Sequence, residues 1–514
     1  MKTIAFHNLG CKVNSYELDV MQQIMQEKGY VIVPFDQKAD IYVINTCTVT
    51  NIADRKSRQM LHRAKQKNPD AVVVAVGCYV QTDLEGVKKD PAIDLAIGNN
   101  RKKDIAQILE HFLMERESAQ SKEPKLLKEG EALAGDKTLG GASVIDINHD
   151  YEYEEMTLKT TAEHTRAYVK IQDGCNQFCS YCAIPLARGR VRSRKAKDVL
   201  REIRGIVEAG YKEIVLTGIH VSSYGIDLSE DMNETVSLQS ASPANAPTQT
   251  SLDDNKKSES YVPRDYRGAS KLLKLIEEIH EIPELERIRI SSVEPRIITP
   301  ETAGRLSALP KVCPHFHLSL QSGCDETLKR MNRHYTAQQY FESVEALRKA
   351  YAPRIPAITT DVIVGFPGET EEEFQTTKAF LTKVGFYEMH VFKYSKRKGT
   401  RAAVMPDQVP DEVKAQRSDV LLELEREQSL AFRRQKLGTK ALVLFEEEKK
   451  ISGVTYLIGH TTDYVKVAVP CADGKATSGA DGKASHESGE VLASGSIAEI
   501  YLGEFLTEEI ILGK

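Results

Sequence analysis

The sequence predicts an α/β protein in three parts: a doubly wound parallel sheet, a partial (β/α)6 barrel and a small C-terminal β-barrel. Two long stretches alternate short β-branched runs with helical segments, and the last stretch contains strand signals with no helix between them. Alternating strands and helices are typical of parallel sheets, whereas successive strands joined by turns are typical of all-β barrels. A chain of 514 residues has room for about three such domains.

Residues 1–113 predict the doubly wound sheet. A helical stretch, Tyr16–Lys28, ends at Gly29, the residue favoured just after a helix. Strands roughly 30 residues apart, with helices between them, indicate parallel pairing. Residues 114–160, which are charged and rich in small residues, are predicted to form a linker. The strands are predicted at Ile4–Phe6, Ile41–Ile44, Val72–Val76 and Leu95–Ile97.

Residues 161–400 predict the partial barrel. Six βα units are too few for a closed eight-stranded barrel, so a (β/α)6 arrangement is expected. Residues 226–268 contain few apolar side chains and cannot offset their ordering entropy, so we predict a mobile insertion there. The six strands are predicted at Ala167–Ile171, Glu213–Leu216, Arg287–Ser291, His315–Ser319, Thr359–Val364 and Glu388–Phe392.

Residues 401–436 predict a helical connection, and residues 437–507 predict the small β-barrel. Residues 472–489 have the same polar composition as the first insertion and are predicted to form a second one. The barrel strands are predicted at Ala441–Phe445, Val454–Ile458, Tyr464–Val467 and Ile497–Leu502.

Composition excludes several classes of protein. With 41% hydrophobic residues the chain is not disordered as a whole, and a net charge of −5 excludes a generally basic nucleic-acid binder. The apolar run Ala71–Val76 is far shorter than the ~18 residues of a membrane helix. The first residues turn polar too soon for a secretory signal. We therefore expect a cytoplasmic protein that has no membrane partner.

Six of the nine cysteines form two sets of three. The second cysteine triplet, Cys175, Cys179 and Cys182, follows the first barrel strand with C-x3-C-x2-C spacing. Three thiolates can hold a 4Fe–4S cluster by three irons and leave the fourth iron open. Structural zinc favours four ligands, commonly two C-x2-C pairs, and an electron-transfer cluster favours a fourth cysteine. The spacing therefore favours an open iron–sulfur site over these alternatives.

The first cysteine triplet is Cys11, Cys47 and Cys78, and each member follows a predicted parallel strand. The carboxyl ends of parallel strands share one edge of the sheet, where ligand sites gather. The alternative is three buried and inert cysteines, which are common in proteins. Three equivalent strand ends favour a metal or cluster site.

The second cysteine triplet, with an aromatic residue before its last member, resembles the radical S-adenosylmethionine superfamily. The resemblance implies that the open iron binds S-adenosylmethionine and that an electron from the cluster cleaves it to methionine and a 5′-deoxyadenosyl radical. It also implies that Tyr181 lies against the adenine. Without the resemblance, the next segment is an ordinary turn after a strand. The resemblance implies that its backbone approaches the nucleoside at Gly365, Phe366, Pro367 and Gly368.

The two triplets and the last barrel together resemble the methylthiotransferase family of radical-SAM enzymes, which attach a CH3–S group to an unreactive carbon. The resemblance implies an N-terminal domain with an auxiliary 4Fe–4S cluster, a radical-SAM core, and a TRAM domain, an OB-like RNA-binding module. It covers nearly all of the chain outside the predicted linkers. Residues 10–15, 187–194 and 216–223 are most similar to the branch that modifies N6-threonylcarbamoyladenosine.

Clusters of positive charge predict the contacts with RNA. A run of charges is usually a solvated face, but a basic groove at a barrel rim can follow phosphates. Further basic groups lie at residues 330–334 and 393–401. The predicted RNA contacts are Arg188, Arg190, Arg192, Arg194, Arg433 and Arg434.

The resemblance implies methylthiolation of C2 of N6-threonylcarbamoyladenosine beside a tRNA anticodon. It implies two 4Fe–4S clusters, S-adenosylmethionine, and an electron donor such as flavodoxin or ferredoxin. Methylthiolation of isopentenyl-adenosine in tRNA, or of a ribosomal-protein aspartate, are alternatives with the same chemistry. A non-catalytic iron–sulfur protein that binds RNA or senses redox state is an alternative of another class, and the open fourth iron argues against it.

Overall fold

The structure is a computed structural model that describes residues 1–120, 142–159, 165–228, 267–471, 484–485 and 491–514. Within these ranges there is no helix with both the length and the apolar character needed to cross a membrane. Most of the two predicted insertions, 226–268 and 472–489, lies outside the described residues, as does the middle of the predicted linker.

The N-terminal part is a six-stranded sheet whose neighbouring strands are all parallel, in the order β2-β1-β3-β4-β5-β6. The winding direction changes between β1 and β3, the point at which open α/β sheets bind ligands. Its elements are β1 (Thr3–Asn8), α1 (Lys12–Glu27), β2 (Val31–Ile32), β3 (Ile41–Thr46), α2 (Asn51–Lys67), β4 (Val72–Gly77), α3 (Cys78–Thr82), α4 (Leu84–Lys89), β5 (Leu95–Ile97), α5 (Ile105–Gln120) and β6 (Ala142–Ser143).

Helices cover both faces of this sheet, because alternate strand residues point to opposite sides. Ile41 and Val43 of β3 pack with α1 and α5, whereas Tyr42 and Ile44 pack with α2. Every residue of β3 and β4 is buried, as expected for central parallel strands. The predicted doubly wound sheet is confirmed.

The second part is the partial barrel. Strands β7, β9 and β10 are parallel, β11, β12 and β13 are parallel, and parallel bridges join the two halves. The six predicted barrel strands are all present, so the predicted (β/α)6 class is confirmed. Its elements are β7 (Ala167–Asp173), α6 (Ile184–Arg188), β8 (Arg192–Ser193), α7 (Ala196–Glu208), β9 (Glu213–Gly218), α8 (Arg267–His280), β10 (Arg287–Ile290), α9 (Pro300–Ser307), β11 (His315–His317), α10 (Asp325–Arg330), α11 (Ala337–Tyr351), β12 (Ala357–Val364), α12 (Glu371–Val384) and β13 (Glu388–Lys393).

The predicted linker is partly built into the fold. Residues 142–159 begin with β6, and their side chains Met156 and Leu158 are buried in the main core. The hydroxyl of Tyr16 in α1 donates a hydrogen bond to the carbonyl of Met156. This segment therefore joins the N-terminal sheet to the barrel as a packed element, because its two apolar side chains stabilise it there.

The C-terminal part is one long helix and a closed five-stranded barrel in the order β14-β15-β16-β20-β19. The predicted range 437–507 omits β20, which closes the barrel by pairing with β16 in parallel. Its elements are α13 (Asp411–Arg434), β14 (Lys440–Ile451), β15 (Val454–Thr461), β16 (Lys466–Pro470), β17 (Ala484–Ser485), β18 (Val491–Leu492), β19 (Ile497–Thr507) and β20 (Ile510–Gly513).

The small barrel is fixed to the partial barrel by two buried arginines of β10. Arg287 donates to the carbonyls of Leu442 and His460 at 2.8 and 3.1 Å. Arg289 donates to the carbonyls of Thr461 and Thr462 at 2.8 and 2.9 Å. Charged donors to backbone acceptors are strong when buried, so these bonds hold the two barrels together.

Candidate functional site

The first cysteine triplet lies at one edge of the N-terminal sheet. Cys11 immediately precedes α1, Cys47 immediately follows β3, and Cys78 is the first residue of α3. Strands β1, β3 and β4 are neighbours in the sheet, and their last residues pair in register. The strand ends therefore bring the three thiols to the same edge, as the spacing predicts.

Buried asparagines surround these thiols. Asn14 Nδ2 donates to Thr46 O at 3.0 Å, and Asn14 Oδ1 lies 3.5 Å from Cys11 Sγ. Asn99 Nδ2 lies 3.5 Å from Cys78 Sγ. The Asn99 N–H group stabilises negative charge on Cys78, which suits a thiolate bound to iron, whereas at Cys11 the thiol donates to Asn14 Oδ1.

The buried thiols of the first triplet need nearby positive charge in order to become thiolates. Burial raises the pKa of the Cys47 thiol to about 12, with a further contribution from Cys78 and Cys11, while Arg188 acts in the opposite direction. Thiolates bind metals, and binding releases their protons. Without a metal, Cys47 is therefore a protonated thiol at neutral pH, and the positive charge of a bound cluster would supply what its thiolate needs.

The second cysteine triplet lies in the loop between β7 and α6. Cys175 N donates to the carbonyl of Gly189 at 3.0 Å, which fixes the start of the loop. Gln177 N donates to Cys175 Sγ at 3.5 Å, and Arg333 Nη1 donates to Cys179 Sγ at 3.3 Å. Burial and the neighbouring Cys179 raise the pKa of Cys182 to about 12. These donors and this need for positive charge again fit a cluster.

Neither triplet is closed tightly enough for a single metal ion. Across the described residues, just one group of three potential ligands has its donor atoms all within 4.8 Å of one another, and it contains no cysteine. The thiols of each triplet are therefore spread more widely than the sulfur ligands of one zinc ion, which lie about 3.8 Å apart when bonds are ~2.3 Å.

The predicted cofactor segment has a mainly structural explanation. Tyr181 packs edge-on against Phe366 with ring centroids 6.3 Å apart. Phe366 is fully buried, so its ring supports Tyr181 and cannot itself reach a ligand. Gly365 has a φ of +69°, and an added Cβ would overlap the side chain of Lys414. Contact of a nucleoside with the backbone of residues 365–368, including Phe366, stays a prediction.

Three of the predicted RNA contacts are corrected by the structure. Arg188, Arg192 and Arg194 have no exposed surface, so their guanidinium groups do not reach the solvent where RNA would bind. Arg188 pairs with Glu17, Arg192 donates to the carbonyl of Arg188, and Arg194 pairs with Glu202. The run of cations is explained by buried acidic partners that lie elsewhere in the chain.

These arginines belong to a buried ionic network between the N-terminal sheet and the barrel. Arg188 Nη1 lies 2.8 Å from Glu17 Oε1 and 3.1 Å from Asp173 Oδ1. Lys170 Nζ lies 2.8 Å from Glu17 Oε1 and 2.7 Å from Asp173 Oδ2. Lys102 also pairs with Glu17 and donates to Asn99 Oδ1 at 2.7 Å. Glu17 and Lys102 come from the sheet, so the network spans both parts and ends beside the first cysteine triplet.

The other predicted RNA contacts differ in exposure. Arg190 is half-buried over the ring of Phe178, 4.5 Å from its centroid. Arg433 is buried and donates to Ser429 Oγ at 2.6 Å, whereas Arg434 is exposed. At the end of β13 and in the segment that follows it, four exposed cations have no ion pair with any described residue. They are Lys393, Lys396, Lys398 and Arg401.

The same segment joins the two cysteine triplets. Arg397 Nη2 donates to Thr48 Oγ1, next to Cys47, and to Asp54 Oδ2, both at 2.7 Å. Five residues later, Ala402 N donates to the carbonyl of Ser180, next to Cys179, at 2.8 Å. Five residue steps span at most about 18 Å. The segment from Arg397 to Ala402 therefore contacts a direct neighbour of a cysteine in each triplet.

Sequence reasoning placed Arg333 in a basic group but missed its contact with a cysteine, and it missed a polar group inside the barrel. Arg333 touches a cysteine sulfur that is 154 positions away in the chain. The polar group consists of His317, Asp361 and His390, on neighbouring strands. The one signal was an acidic residue in the otherwise apolar end of β12. Side chains in the barrel interior are set by strand pairing, which sequence spacing does not specify.

Two sequence families match the chain. Residues 169–381 match the Radical SAM superfamily, and residues 3–98 match the uncharacterized protein family UPF0004. The threonylcarbamoyladenosine tRNA methylthiotransferase MtaB of Bacillus subtilis (strain 168) is 38% identical over 470 residues, which cover 91% of this chain and 90% of that protein. This chain belongs to the methylthiotransferase family of radical-SAM enzymes.

Other members of the family are similar over comparable lengths. MtaB of Aquifex aeolicus (strain VF5) is 34% identical, covering 88% of this chain and 95% of that protein. The tRNA-2-methylthio-N(6)-dimethylallyladenosine synthase of Carboxydothermus hydrogenoformans (strain ATCC BAA-161 / DSM 6008 / Z-2901) is 32% identical, covering 88% and 89%. As a radical-SAM methylthiotransferase, the protein is a transferase of sulfur-containing groups. Its cofactors are two 4Fe–4S clusters and S-adenosylmethionine.

A solved structure shares the fold. The radical S-adenosylmethionine methyltransferase TsrM from Kitasatospora setae aligns with a TM-score of 0.50 and 14% identity, covering 78% of this chain and 74% of that chain. At this level of identity the likeness concerns the fold alone. Because the chain belongs to a family of enzymes, the alternative of a non-catalytic iron–sulfur protein is not favoured.

Proposed function

We propose that this methylthiotransferase adds a methylthio group to C2 of N6-threonylcarbamoyladenosine next to the anticodon of a tRNA. The observation that carries the proposal is the pair of cysteine triplets, one from the sheet and one from the barrel, both bordered by the segment from Arg397 to Ala402. The choice of nucleoside is supported by 38% identity to an enzyme named for threonylcarbamoyladenosine.

The two triplets hold 4Fe–4S clusters with different roles in this proposal. Cys175, Cys179 and Cys182 hold the cluster that binds S-adenosylmethionine, and Cys11, Cys47 and Cys78 hold the auxiliary cluster. When bound, these groups supply reductive cleavage of S-adenosylmethionine and a sulfur atom for transfer.

Other residues position the thiols of the two triplets and line their surroundings. Arg333 donates to Cys179 Sγ and fixes the charge beside the second triplet. Tyr181, supported by Phe366, forms an aromatic wall next to that triplet. Asn14 and Asn99 orient Cys11 and Cys78.

The proposed domains follow the predicted boundaries, with the TRAM domain extended to include β20. Residues 1–113 form the auxiliary-cluster domain, residues 161–400 form the radical-SAM core, and residues 437–514 form the TRAM domain. The tRNA anticodon loop lies along the exposed cations at the end of β13 and in the segment that follows it, and along Arg434. The target base leaves its stack to reach the two clusters, as base-modifying enzymes require. The reaction takes place in the cytoplasm with flavodoxin or ferredoxin as electron donor.

A paired measurement on reconstituted protein tests the roles of the triplets. Replacing Cys11, Cys47 and Cys78 by Ala should reduce the iron content from about eight to about four per chain, spare 5′-deoxyadenosine formation and abolish the methylthio-nucleoside. Replacing Cys175, Cys179 and Cys182 by Ala should also halve the iron but abolish both products. Cys471→Ala, outside both triplets, is the matched control and should keep both.

The outcome that contradicts the assignment is methylthio-nucleoside at the unmodified yield from either triple variant. Mass spectrometry of nucleosides from tRNA of cells with and without the gene tests the substrate. Loss of 2-methylthio-N6-threonylcarbamoyladenosine in the deleted strain supports the proposal. Loss of the methylthio derivative of isopentenyl-adenosine instead, or of a modified ribosomal-protein aspartate, would reassign the enzyme within its family.

A further inference from the structure

The barrel interior contains a ligand-like group that neither cysteine triplet uses. His317 lies on β11, Asp361 on β12 and His390 on β13. One imidazole nitrogen from each histidine and one carboxylate oxygen lie within 4.8 Å of one another. Two imidazoles and a carboxylate are a ligand set typical of divalent transition metals.

Strand pairing places the three side chains on one face. Asp361 pairs directly with His390, and His317 pairs with Thr359, two residues before Asp361 on the same face of β12. The rings of His317 and His390 stack with centroids 5.9 Å apart and planes 20° apart. Three adjacent strands therefore hold the group, which makes it more rigid than a group on loops.

This face of β12 is the inner face of the barrel. Val362 and Val364 are buried in the main core on the other face. Ile363, which shares the face of Asp361, packs with Tyr181 and Phe366. Successive residues on one face lie about 7 Å apart along a strand. The group thus opens to the same interior as the proposed S-adenosylmethionine site, and Asp361 lies two residues before Ile363 along the strand.

The hydrogen bonds of His317 leave one nitrogen free to bind a cation. Nδ1 lies 3.1 Å from Thr359 Oγ1, which positions the ring. Nε2 is buried and has no hydrogen-bond partner among the described residues, although Asp361 Oδ2 is 3.4 Å away. At this distance a protonated imidazole forms an ion pair with the carboxylate, and a metal ion bound by the neutral imidazole would take the place of that proton.

The distance between these atoms suits coordination. Two ligands bonded to one ion at ~2.1 Å lie about 3.0 Å apart in octahedral geometry and about 3.4 Å apart in tetrahedral geometry. The observed separation of 3.4 Å falls at the upper end of that range. A hydrogen bond that orients the other nitrogen of a histidine is typical of metal ligands.

We propose that His317, Asp361 and His390 bind one divalent transition-metal ion, of the class of Zn²⁺, Fe²⁺ or Mn²⁺, separate from both cluster sites. The remaining coordination positions face the barrel interior and take water or an oxygen atom of a bound substrate. The site does not depend on which nucleoside the enzyme modifies.

Zinc binding to the reconstituted holoenzyme tests this site. Protein that contains about eight irons per chain is incubated with ZnSO4 and desalted, and zinc and iron are measured together by mass spectrometry. We expect about one zinc per chain, and X-ray absorption at the zinc edge should show nitrogen and oxygen ligands without sulfur. His317→Ala and His390→Ala should each weaken zinc binding at least tenfold while the iron content stays the same.

His62→Ala is the matched control, because His62 is an exposed histidine that also lies beside a carboxylate, that of Asp90. It should bind zinc like the unmodified protein. Absence of zinc from the unmodified holoenzyme, sulfur ligation of the zinc, or zinc binding unchanged in His317→Ala would overturn the proposal. Retained iron in the variants shows that they are folded, so loss of zinc is then specific.

Discussion

The guanidinium group of Arg188 is held between two carboxylates at a place that water does not reach. Both Glu17 and Asp173 accept its hydrogen bonds, and all three side chains are buried. The carboxyl pKa of Glu17 lies well below its usual range: burial alone would raise it, but Arg188, Lys102 and Lys170 lower it by more. A buried charge that loses its partner is costly, typically about 3–5 kcal/mol.

We therefore expect Arg188→Gln to lower the free energy of unfolding by about 3–5 kcal/mol. Arg190→Gln is the matched control, because Arg190 is half-buried over Phe178 and has no acidic partner in the ion pairs of the described residues. It should change the free energy by less than about 1 kcal/mol. Urea unfolding of both variants measures the difference, and equal losses would contradict the buried network.

Arg333 offers a second test at the level of one side chain. Its Nη1 donates to Cys179 Sγ at 3.3 Å, and hydrogen bonds to cluster sulfurs raise the reduction potential. Arg333→Gln should make the potential of the cluster held by the second triplet more negative and leave that of the first triplet unchanged. A redox titration followed by electron paramagnetic resonance separates the two clusters. A shift of both clusters, or of neither, would argue against this contact.

Single residues also show what sequence reasoning could not reach. The six cysteines could be identified because each follows a strand whose position is visible in the hydrophobic pattern. The environment of Arg188 could not, because Glu17 lies 171 positions earlier in the chain. Four arginines in a short segment look solvated unless their partners are known, and here the partners are brought in by tertiary packing.

Among the elements, the loop after β13 is the best candidate for contact with phosphates. Lys393 at the end of β13, and Lys396 and Lys398 in the loop, are exposed, and they flank the buried Arg397, which anchors the loop beside Cys47. Each phosphate contact contributes about 0.7–0.9 to the slope of binding against salt. Reversing these three charges should therefore weaken tRNA binding at least tenfold and reduce that slope by about two to three.

The matched control reverses three exposed cations on the outer helices α7 and α8, namely Lys197, Arg204 and Lys274. The change in net charge is the same, so a general electrostatic effect would appear in both variants. Filter binding of tRNA at several salt concentrations measures both quantities. If the control loses as much affinity as the loop variant, the loop is not the binding surface.

Elements with many residues were predictable, and short ones were not. The four longer strands of the N-terminal sheet and most of the barrel strands contain β-branched residues, whereas β11 has three residues and none of them is β-branched. Strands β2 and β6 have two residues each, which is too short to show any periodicity. Strand β20 follows β19 after a tight turn. Its role depends on pairing with β16, which tertiary structure brings beside it.

At the scale of the whole molecule, the N-terminal sheet and the barrel are one folding unit. Their buried charges are neutralised only when the two parts are together. The sheet contributes Glu17 and Lys102, and the barrel contributes Lys170, Asp173 and Arg188. Residues 1–120 and 142–514, expressed as separate chains in one cell, should copurify as a complex. Either piece expressed alone should be insoluble, because it would bury unpaired charge or expose the core.

Size-exclusion chromatography of the coexpressed pieces measures this association. A matched variant with Glu17→Gln, in which the central carboxylate is lost, should associate more weakly. Two pieces that are each soluble and migrate separately would show that the interface contributes little. Removing the small barrel would also leave buried charge without partners, since Arg287 and Arg289 would lose the carbonyls that accept their hydrogen bonds.

The ionic network also bears on how such enzymes can be recombined. A hybrid that takes its sheet from one relative and its barrel from another inherits the carboxylate of Glu17 from one parent and the cations at positions 170 and 188 from the other. If the parents differ in the sign or length of these side chains, the hybrid buries a mismatch. Exchange of substrate preference between relatives is therefore expected to succeed through surface loops, and to fail when the exchange point falls between Glu17 and Arg188.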